Sequence, residues 1–150
     1  MSGFLLDTNV ISEARKGPRM HPGLSAWFSR RHSRELFLSV LSLAEIRRGI
    51  ALVGRRDLPK AEALSRWYQE LIRGYGEIQH LLPIGHEECD VWGEFQGVRS
   101  LPVIDAFLAA TARTHRLTLV TRNTADFVGL PIELENPFVL ETPHPAIPGR

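Results

Sequence analysis

The chain of 150 residues has the length of one globular domain, and its 43% hydrophobic and 23% charged residues exclude a disordered chain. The single cysteine, Cys89, excludes an intramolecular disulfide and a zinc site built from several cysteines, and we expect it to be a small core residue. No apolar run approaches the ~20 residues that span a bilayer. The first residues lack the pattern of a signal peptide, so we expect a cytoplasmic protein without membrane association.

The net charge of +1 conceals an uneven distribution along the chain. Residues 1–75 carry 13 Lys/Arg and 7 Asp/Glu, whereas residues 76–150 carry 5 and 10. This asymmetry is compatible with one basic face that holds phosphates. Charged runs are also typical of solvated helix faces and loops, and on charge alone we favour that interpretation.

Apolar strands alternate with amphipathic helices along the chain. In chain order, the pattern predicts strand 3–6, helices 9–15 and 22–31, strand 36–41, helices 42–53 and 59–75, strand 79–84, helices 87–98 and 102–115, strand 117–121 and a short strand 132–134. This alternation predicts an α/β fold with a central parallel sheet and helices on both faces. Four prolines between Pro137 and Arg150 argue against regular structure there. We therefore divide the chain into a domain, 1–138, and a proline-rich tail, 139–150.

Four carboxylates stand in apolar surroundings, unlike most of the 17 acidic residues. Asp7 ends the first predicted strand, and Asp126 follows the strand 117–121. Glu45 and Asp105 lie in apolar segments too, and both fall in the first turns of predicted helices, 42–53 and 102–115. Because sites in parallel sheets form at the carboxyl ends of the strands, we expect these four side chains to converge on one pocket.

Four ionised carboxylates in one pocket repel each other unless a cation joins them. Carboxylate and water oxygens are the ligands that Mg²⁺ and Mn²⁺ prefer, and such an ion can polarise a phosphodiester and activate water. An acidic metal site beside a basic surface therefore predicts a metal-dependent nuclease. The candidate phosphate contacts are the clustered arginines Arg30, Arg31, Arg34, Arg47 and Arg48.

Each acid also has a purely structural interpretation. Asp7 could cap the first helix, and Asp126 could cap a short turn. Ser42 and Glu45 fit the spacing of a capping box. Asp105 could simply balance the helix dipole. The shared edge of the four acids, rather than any one position, favours a site.

Four ordered segments resemble the motifs of PIN-domain ribonucleases, specifically the VapC-type toxins of bacterial toxin–antitoxin pairs. They read LLDTNVISE from Leu5, LFLSVLSLAEI from Leu36, LPVIDAFLAATA from Leu101 and LTLVTRNTADF from Leu117. The sequence ENP from Glu135 is similar to the closing strand of that family. Together these segments cover about residues 4–138.

The resemblance implies a three-layer α/β/α PIN fold and cleavage of RNA with Mg²⁺ or Mn²⁺. It implies that Asp7 and Asp105 are the principal metal ligands. It implies that Glu45 is a ligand or a water-positioning acid, and that Asp126 completes the catalytic set.

The resemblance further implies supporting residues and partners. Thr8 or Asn9 would orient Asp7 through hydrogen bonds, and Asn123 would stand beside Asp126. Asn123 departs from the family pattern, because many PIN domains have an acid there. The family pattern implies a homodimer and a VapB-type antitoxin that inserts a peptide at the acidic pocket, with larger assemblies and operator DNA reached only through the antitoxin.

Two other functions remain open at this stage. An inactive PIN module could bind RNA or an antitoxin without cutting. A metal-dependent phosphohydrolase is the other alternative, since an apolar strand followed by Asp7-Thr8-Asn9 faintly resembles an Asp-x-Asp nucleophile motif. That motif requires an acid at its third position for proton transfer, where this chain has Asn9.

Overall fold

The computed structural model describes residues 2–139. The predicted tail therefore lies, apart from Val139, outside the described residues. Five parallel strands form one sheet in the order β3-β2-β1-β4-β5. The strands are β1 (Phe4–Leu6), β2 (Leu36–Ser39), β3 (Leu81–Leu82), β4 (Thr118–Val120) and β5 (Leu134–Glu135). The prediction of an α/β fold with a parallel sheet is confirmed.

Six helices pack against this sheet. They are α1 (Thr8–Ala14), α2 (Pro22–Ser29), α3 (Val40–Gly54), α4 (Leu58–Glu77), α5 (His86–Val98) and α6 (Val103–His115). Short 3-10 helices occur at Gly17–Arg19, Ser33–Glu35 and Thr124–Phe127. Within residues 2–139, no helix is both long enough and apolar enough to cross a membrane.

The alternating side chains of β1 divide the interior into two cores. Phe4 and Leu6 pack with the helices α1 to α4, whereas Leu5 packs with α5 and α6. Successive strand residues point to opposite faces, so a strand buried on both faces reads as a continuous apolar run. The result is the three-layer α/β/α arrangement that the sequence predicts.

The structure corrects the predicted boundary between β2 and α3. The strand ends at Ser39, whose Oγ accepts a hydrogen bond of 3.1 Å from Leu41 N and caps a helix that begins at Val40. The capping box at Ser42 and Glu45 is therefore wrong, and Glu45 lies in the second turn rather than the first. A second correction concerns Cys89, which is exposed rather than part of the core.

A closing segment, Asn136–Phe138, follows β5 and ties α2 to the chain after β4. Asn136 Nδ2 donates to Arg122 O at 3.2 Å, and the Arg122 guanidinium lies 3.9 Å from the centroid of the Phe138 ring. A Cβ added at Gly23 would lie 2.6 Å from Pro137 O. Glycine at position 23 is therefore what allows α2 to approach this segment so closely.

Candidate active site

Asp7 stands at the carboxyl end of the central strand, in the middle of the sheet. Its backbone N–H donates to Val120 O at 2.9 Å, which continues the pairing of Leu6 with Val120 by one residue. Its side chain caps α1, because Oδ1 accepts from Thr8 N at 2.6 Å. The side chain is only 7% exposed. The capping interpretation of Asp7 is thus confirmed, and it leaves Oδ2 facing the neighbouring strand.

Thr121 meets that second oxygen and is a site residue that the sequence analysis missed. Its hydroxyl donates to Asp7 Oδ2 at 2.9 Å and accepts from Asn9 Nδ2 at 3.2 Å and from Asn123 N at 3.1 Å. A hydroxyl has one donor and two acceptor positions, so all of its capacity is used. The sequence offered little signal for it, because Thr121 is the last residue of the predicted strand 117–121 and a threonine at a strand end is common.

Asn9 connects the start of α1 to the segment after β4. Its Nδ2 contacts Thr121 Oγ1 and lies 3.4 Å from Asp7 Oδ2, while its Oδ1 accepts from Arg122 N at 3.1 Å. The predicted role of Asn9 in orienting Asp7 agrees with these contacts. Asn123 contributes through its backbone N–H, and its exposed side chain makes none of these bonds.

Glu45 lies half-buried in the second turn of α3 and faces the start of α1. Its Oε1 accepts a hydrogen bond of 2.8 Å from Thr8 Oγ1. Thr8 therefore joins two acids, since its backbone N–H binds Asp7 and its hydroxyl binds Glu45. The bond fixes Glu45 relative to the end of β1.

Asp105 and Asp126 approach from the other layer. Asp105 occupies the first turn of α6 and is partly buried. Asp126 is exposed in the 3-10 helix Thr124–Phe127, whose position Arg99 supports by donating to the carbonyls of Asp126 and Val128. Two acids thus come from the α1–α3 side of the sheet edge and two from the α6 side.

The carboxylates influence each other's ionisation. Burial raises the pKa of Asp7, hydrogen bonds from Thr121 and Thr8 oppose that rise, and the charges of Asp105 and Glu45 add to it. The pKa of Asp105 is also raised, first by burial and then by the charges of Asp126 and Glu45. The four predicted acids therefore belong to one electrostatically connected group.

The donor set suits a hard divalent cation. Among residues 2–139, however, no three His, Cys, Asp or Glu side chains lie close enough together to form a complete metal site on their own. Mg²⁺ does not require such a complete site, because it keeps several waters and is commonly bound by one or two carboxylates together with substrate phosphates.

The predicted phosphate contacts are distributed over three places. Arg47 and Arg48 are exposed on α3, two and three residues after Glu45. Arg34 lies in the 3-10 helix Ser33–Glu35 that precedes β2, at the amino-terminal edge of the sheet and thus opposite the acids. Arg30 is exposed at the end of α2 and lines a cavity beside the closing segment.

Arg31 differs from its neighbours because it packs into the structure. Its guanidinium lies 4.7 Å from the ring centroid of Phe4 and 4.9 Å from that of Trp27. It also pairs with Glu135 at 3.6 Å, and Trp27 Nε1 donates to the same carboxylate at 2.9 Å. Its side chain is 22% exposed. The five arginines therefore do not form one continuous patch.

Comparison with known proteins identifies the class to which this fold and acidic edge belong. The family model for the PIN domain matches residues 4–129. The chain therefore belongs to the PIN-domain family, in the group that contains the VapC and FitB toxins.

Full-length relatives support this placement. The chain is 30% identical to VapC ribonuclease Y4jK of Sinorhizobium fredii over 142 residues, covering 90% of this chain and 97% of the relative. It is 29% identical to Toxin FitB of Neisseria gonorrhoeae over 142 residues, covering 90% and 98%. The crystal structure of FitAcB from Neisseria gonorrhoeae contains a similar chain, with a TM-score of 0.80, 29% identity and coverage of 91% and 99%.

Proposed function

We propose that this protein is a metal-dependent endoribonuclease and the toxin of a type II toxin–antitoxin pair. The observation that carries the proposal is the location of the four acids: Asp7 ends the central strand, Thr8 hydrogen-bonds both Asp7 and Glu45, and Asp105 and Asp126 lie at the start of α6 and in the turn after β4. Membership of the PIN family supports it, as do relatives that are named ribonucleases.

The proposed metal ligands are Asp7 and Asp105, with Mg²⁺ or Mn²⁺ as the ion. When bound, such a cation supplies polarisation of the scissile phosphodiester and a lowered pKa for water. Asp7 would be held in its ionised form by the hydrogen bonds from Thr121 and Thr8. Glu45 and Asp126 would position water and balance the charge of the ion.

Recognition of RNA falls to the basic residues on this side of the molecule. Arg47 and Arg48 are exposed close to Glu45, and we propose that they contact phosphates. Arg30 is the next candidate because it is exposed near the closing segment. Arg31 and Arg34 are weaker candidates, the first because it packs on two rings and the second because it lies at the far edge.

The proposed partners are a VapB-type antitoxin and a second copy of this chain. A structure of FitAB bound to an IR36 DNA fragment and a crystal structure of DNA-bound VapBC from Salmonella typhimurium contain chains that share this fold. We propose that the antitoxin blocks the acidic edge, and that operator DNA is contacted through the antitoxin in a larger assembly. We propose that the activity is cytoplasmic, where the RNA and the antitoxin would both be present.

The decisive experiment is RNA cleavage by the purified chain, freed of any antitoxin. Reactions would contain Mg²⁺, Mn²⁺ or EDTA, and would compare the wild type with Asp105→Asn. The matched control is Asp90→Asn, an exposed acid on α5 that is not among the charges acting on Asp7 or Asp105. We expect cutting that requires metal, that Asp105→Asn abolishes and that Asp90→Asn leaves unchanged.

An inactive PIN module is the second candidate, and Asn123 is the observation that favours it. An amide adds no negative charge where an acid stands in many PIN domains. If a folded, antitoxin-free chain cuts no RNA with either metal, this reading replaces the first. Restored cutting by Asn123→Asp would then identify that position as the cause.

A further inference from the structure

A groove between α1, α3 and α4 opens directly onto the acidic edge. Its volume is about 300 Å³, and Thr8 and Glu45 line the end that meets the acids. This α1–α3–α4 groove continues away from the site past Arg15 and Lys60 to Trp67. Thr8 and Glu45 therefore belong both to the candidate active site and to one end of this groove.

The groove combines two cations with apolar walls. Arg15 and Lys60 are both exposed, and within residues 2–139 neither has a carboxylate within ion-pairing distance. The Arg15 guanidinium lies 5.9 Å from the centroid of the Trp67 ring. Ile46 and Ile50 of α3 supply apolar surface below them. A ligand that fits must carry negative charge and a flat apolar part together.

We propose that this groove holds the single-stranded RNA next to the bond that is cut, with Arg15 and Lys60 on phosphates and Trp67 against a base. Nucleotides combine a phosphate with a planar ring, which is the combination that the groove offers. Its volume of about 300 Å³ lies at the lower end of the range for ligand pockets. Continuity with Glu45 supports RNA as the occupant, because a strand bound at the acids for cleavage must leave them along an adjoining surface.

The inference rests on the proposed ribonuclease function and adds to it a binding track on α1 and α4. Neither Arg15 nor Lys60 is among the five arginines that the sequence analysis names as candidate phosphate contacts. Arg15 and Lys60 are separated by 45 positions in the chain, so their proximity is visible only in the fold.

The test measures binding and cleavage separately. A labelled, unstructured RNA of about ten nucleotides, within the length range of single-strand sites, is titrated in EDTA, where no cutting occurs. Arg15→Ala and Lys60→Ala are compared with Arg66→Ala, which removes the same charge from α4 outside the groove. For each groove variant, the slope of log K against log salt should become shallower by about 0.7, as for one lost phosphate contact to a single strand. Arg66→Ala should leave the slope unchanged.

Trp67 is tested by a pair of substitutions, because it also packs against the core. Trp67→Phe keeps an aromatic face and should bind RNA nearly as the wild type does. Trp67→Leu keeps apolar volume without the aromatic face and should weaken binding roughly 5- to 100-fold, as for the loss of one stacked base. Thermal unfolding of each variant shows whether the fold is intact.

The outcomes separate this inference from the function on which it rests. If the wild type cuts RNA with metal but the groove variants bind and cut as it does, the inference is overturned and the ribonuclease remains. That result would indicate that the groove binds a protein partner rather than RNA. If the wild type neither binds nor cuts RNA, both fail. Weaker binding and a raised KM, with an unchanged kcat at saturating RNA, support the groove.

Discussion

Thr121 Oγ1 donates a 2.9 Å hydrogen bond to Asp7 Oδ2 across two neighbouring parallel strands. The two residues follow the paired strand ends Leu6 and Val120, so sheet register places them opposite each other. Thr121 is fully buried and Asp7 is 7% exposed. An acid at the centre of the candidate site is therefore oriented by the backbone pairing of the sheet.

Thr121→Val should remove this hydrogen bond while preserving the side-chain shape. The change leaves Asp7 Oδ2 and Asn123 N without their partner, and we expect a loss of about 1–3 kcal/mol in the free energy of unfolding. Because this hydrogen bond lowers the pKa of Asp7, its loss should raise that pKa and move the acidic limb of the cleavage profile to higher pH. Urea unfolding and a pH profile of kcat/KM measure the two effects.

Thr121→Ser is the matched control, since it keeps the hydroxyl. It should retain the pH profile of the wild type and lose stability only through the missing methyl group. An identical pH profile for the valine and serine variants would show that the hydroxyl does not tune Asp7.

Asp105→Asn should make the metal-free protein more stable relative to the wild type as the pH rises. The pKa of Asp105 is raised in the folded state, so its contribution to stability is full at low pH and is lost as pH increases through the folded pKa. The asparagine variant does not titrate, and the difference should grow from about pH 4 towards neutrality. Thermal melts in EDTA across this range measure it, with Asp90→Asn as control.

Adding Mg²⁺ should reverse the order of these two proteins at neutral pH. A ligand that binds only the folded state stabilises it by about 2.7 kcal/mol at 100 times its Kd. The wild type should therefore gain melting temperature with Mg²⁺, whereas Asp105→Asn should gain little. An equal gain in both proteins would place the ion elsewhere.

Arg31→Ala should destabilise the fold, whereas Arg30→Ala should not. Arg31 lies against the rings of Phe4 and Trp27 and pairs with Glu135, so its loss removes cation–π contact and apolar packing worth about 1–2 kcal/mol. Arg30 is exposed. Urea unfolding measures the stability of the two variants. Equal free energies of unfolding would show that the packed guanidinium of Arg31 does not stabilise the fold.

Gly23→Ala should loosen the closing segment. The added Cβ would stand 2.6 Å from Pro137 O, and a backbone carbonyl cannot move away as a flexible side chain can. We expect a cost of about 1–3 kcal/mol. Gly93→Ala is the control, because it lies in α5 with nothing within 4 Å and should stabilise the helix by about 0.5–1 kcal/mol. A Gly23→Ala protein as stable as the wild type would contradict the tight approach.

The sequence predicts the fold well because its strands are buried on both faces. The run around Leu5 is continuously apolar and that around Leu119 is interrupted only by Thr118, and the structure places both strands in the middle of the sheet. The boundary between β2 and α3 was wrong for a local reason. Ser39 and Ser42 are both credible caps, and only the pairing of Ser39 with Leu82 shows where the strand stops.

The acids of the site were also predictable, but their support was not. Asp7 and Asp105 can be recognised in the sequence because carboxylates are rare in apolar segments. Thr121 cannot, since a threonine after a strand is common and its role depends on a partner 114 residues away. The groove at Arg15 and Lys60 could not be predicted from the sequence for the same reason. Helix packing, rather than their spacing in the sequence, brings the two residues together.

The acidic edge is built from parts of very different local stability. The Asp7 amide is bonded between the two most central strands, whereas Asp126 sits on an exposed turn that Arg99 holds through two carbonyls. Amide hydrogen exchange should therefore divide the site, with slow exchange at residues 5–7 and faster exchange at 123–128. Binding of a cation at the acids should leave the slow exchange at residues 5–7 nearly unchanged and should slow exchange at residues 123–128. The exchange rate of the 123–128 turn would therefore report whether the ion is bound.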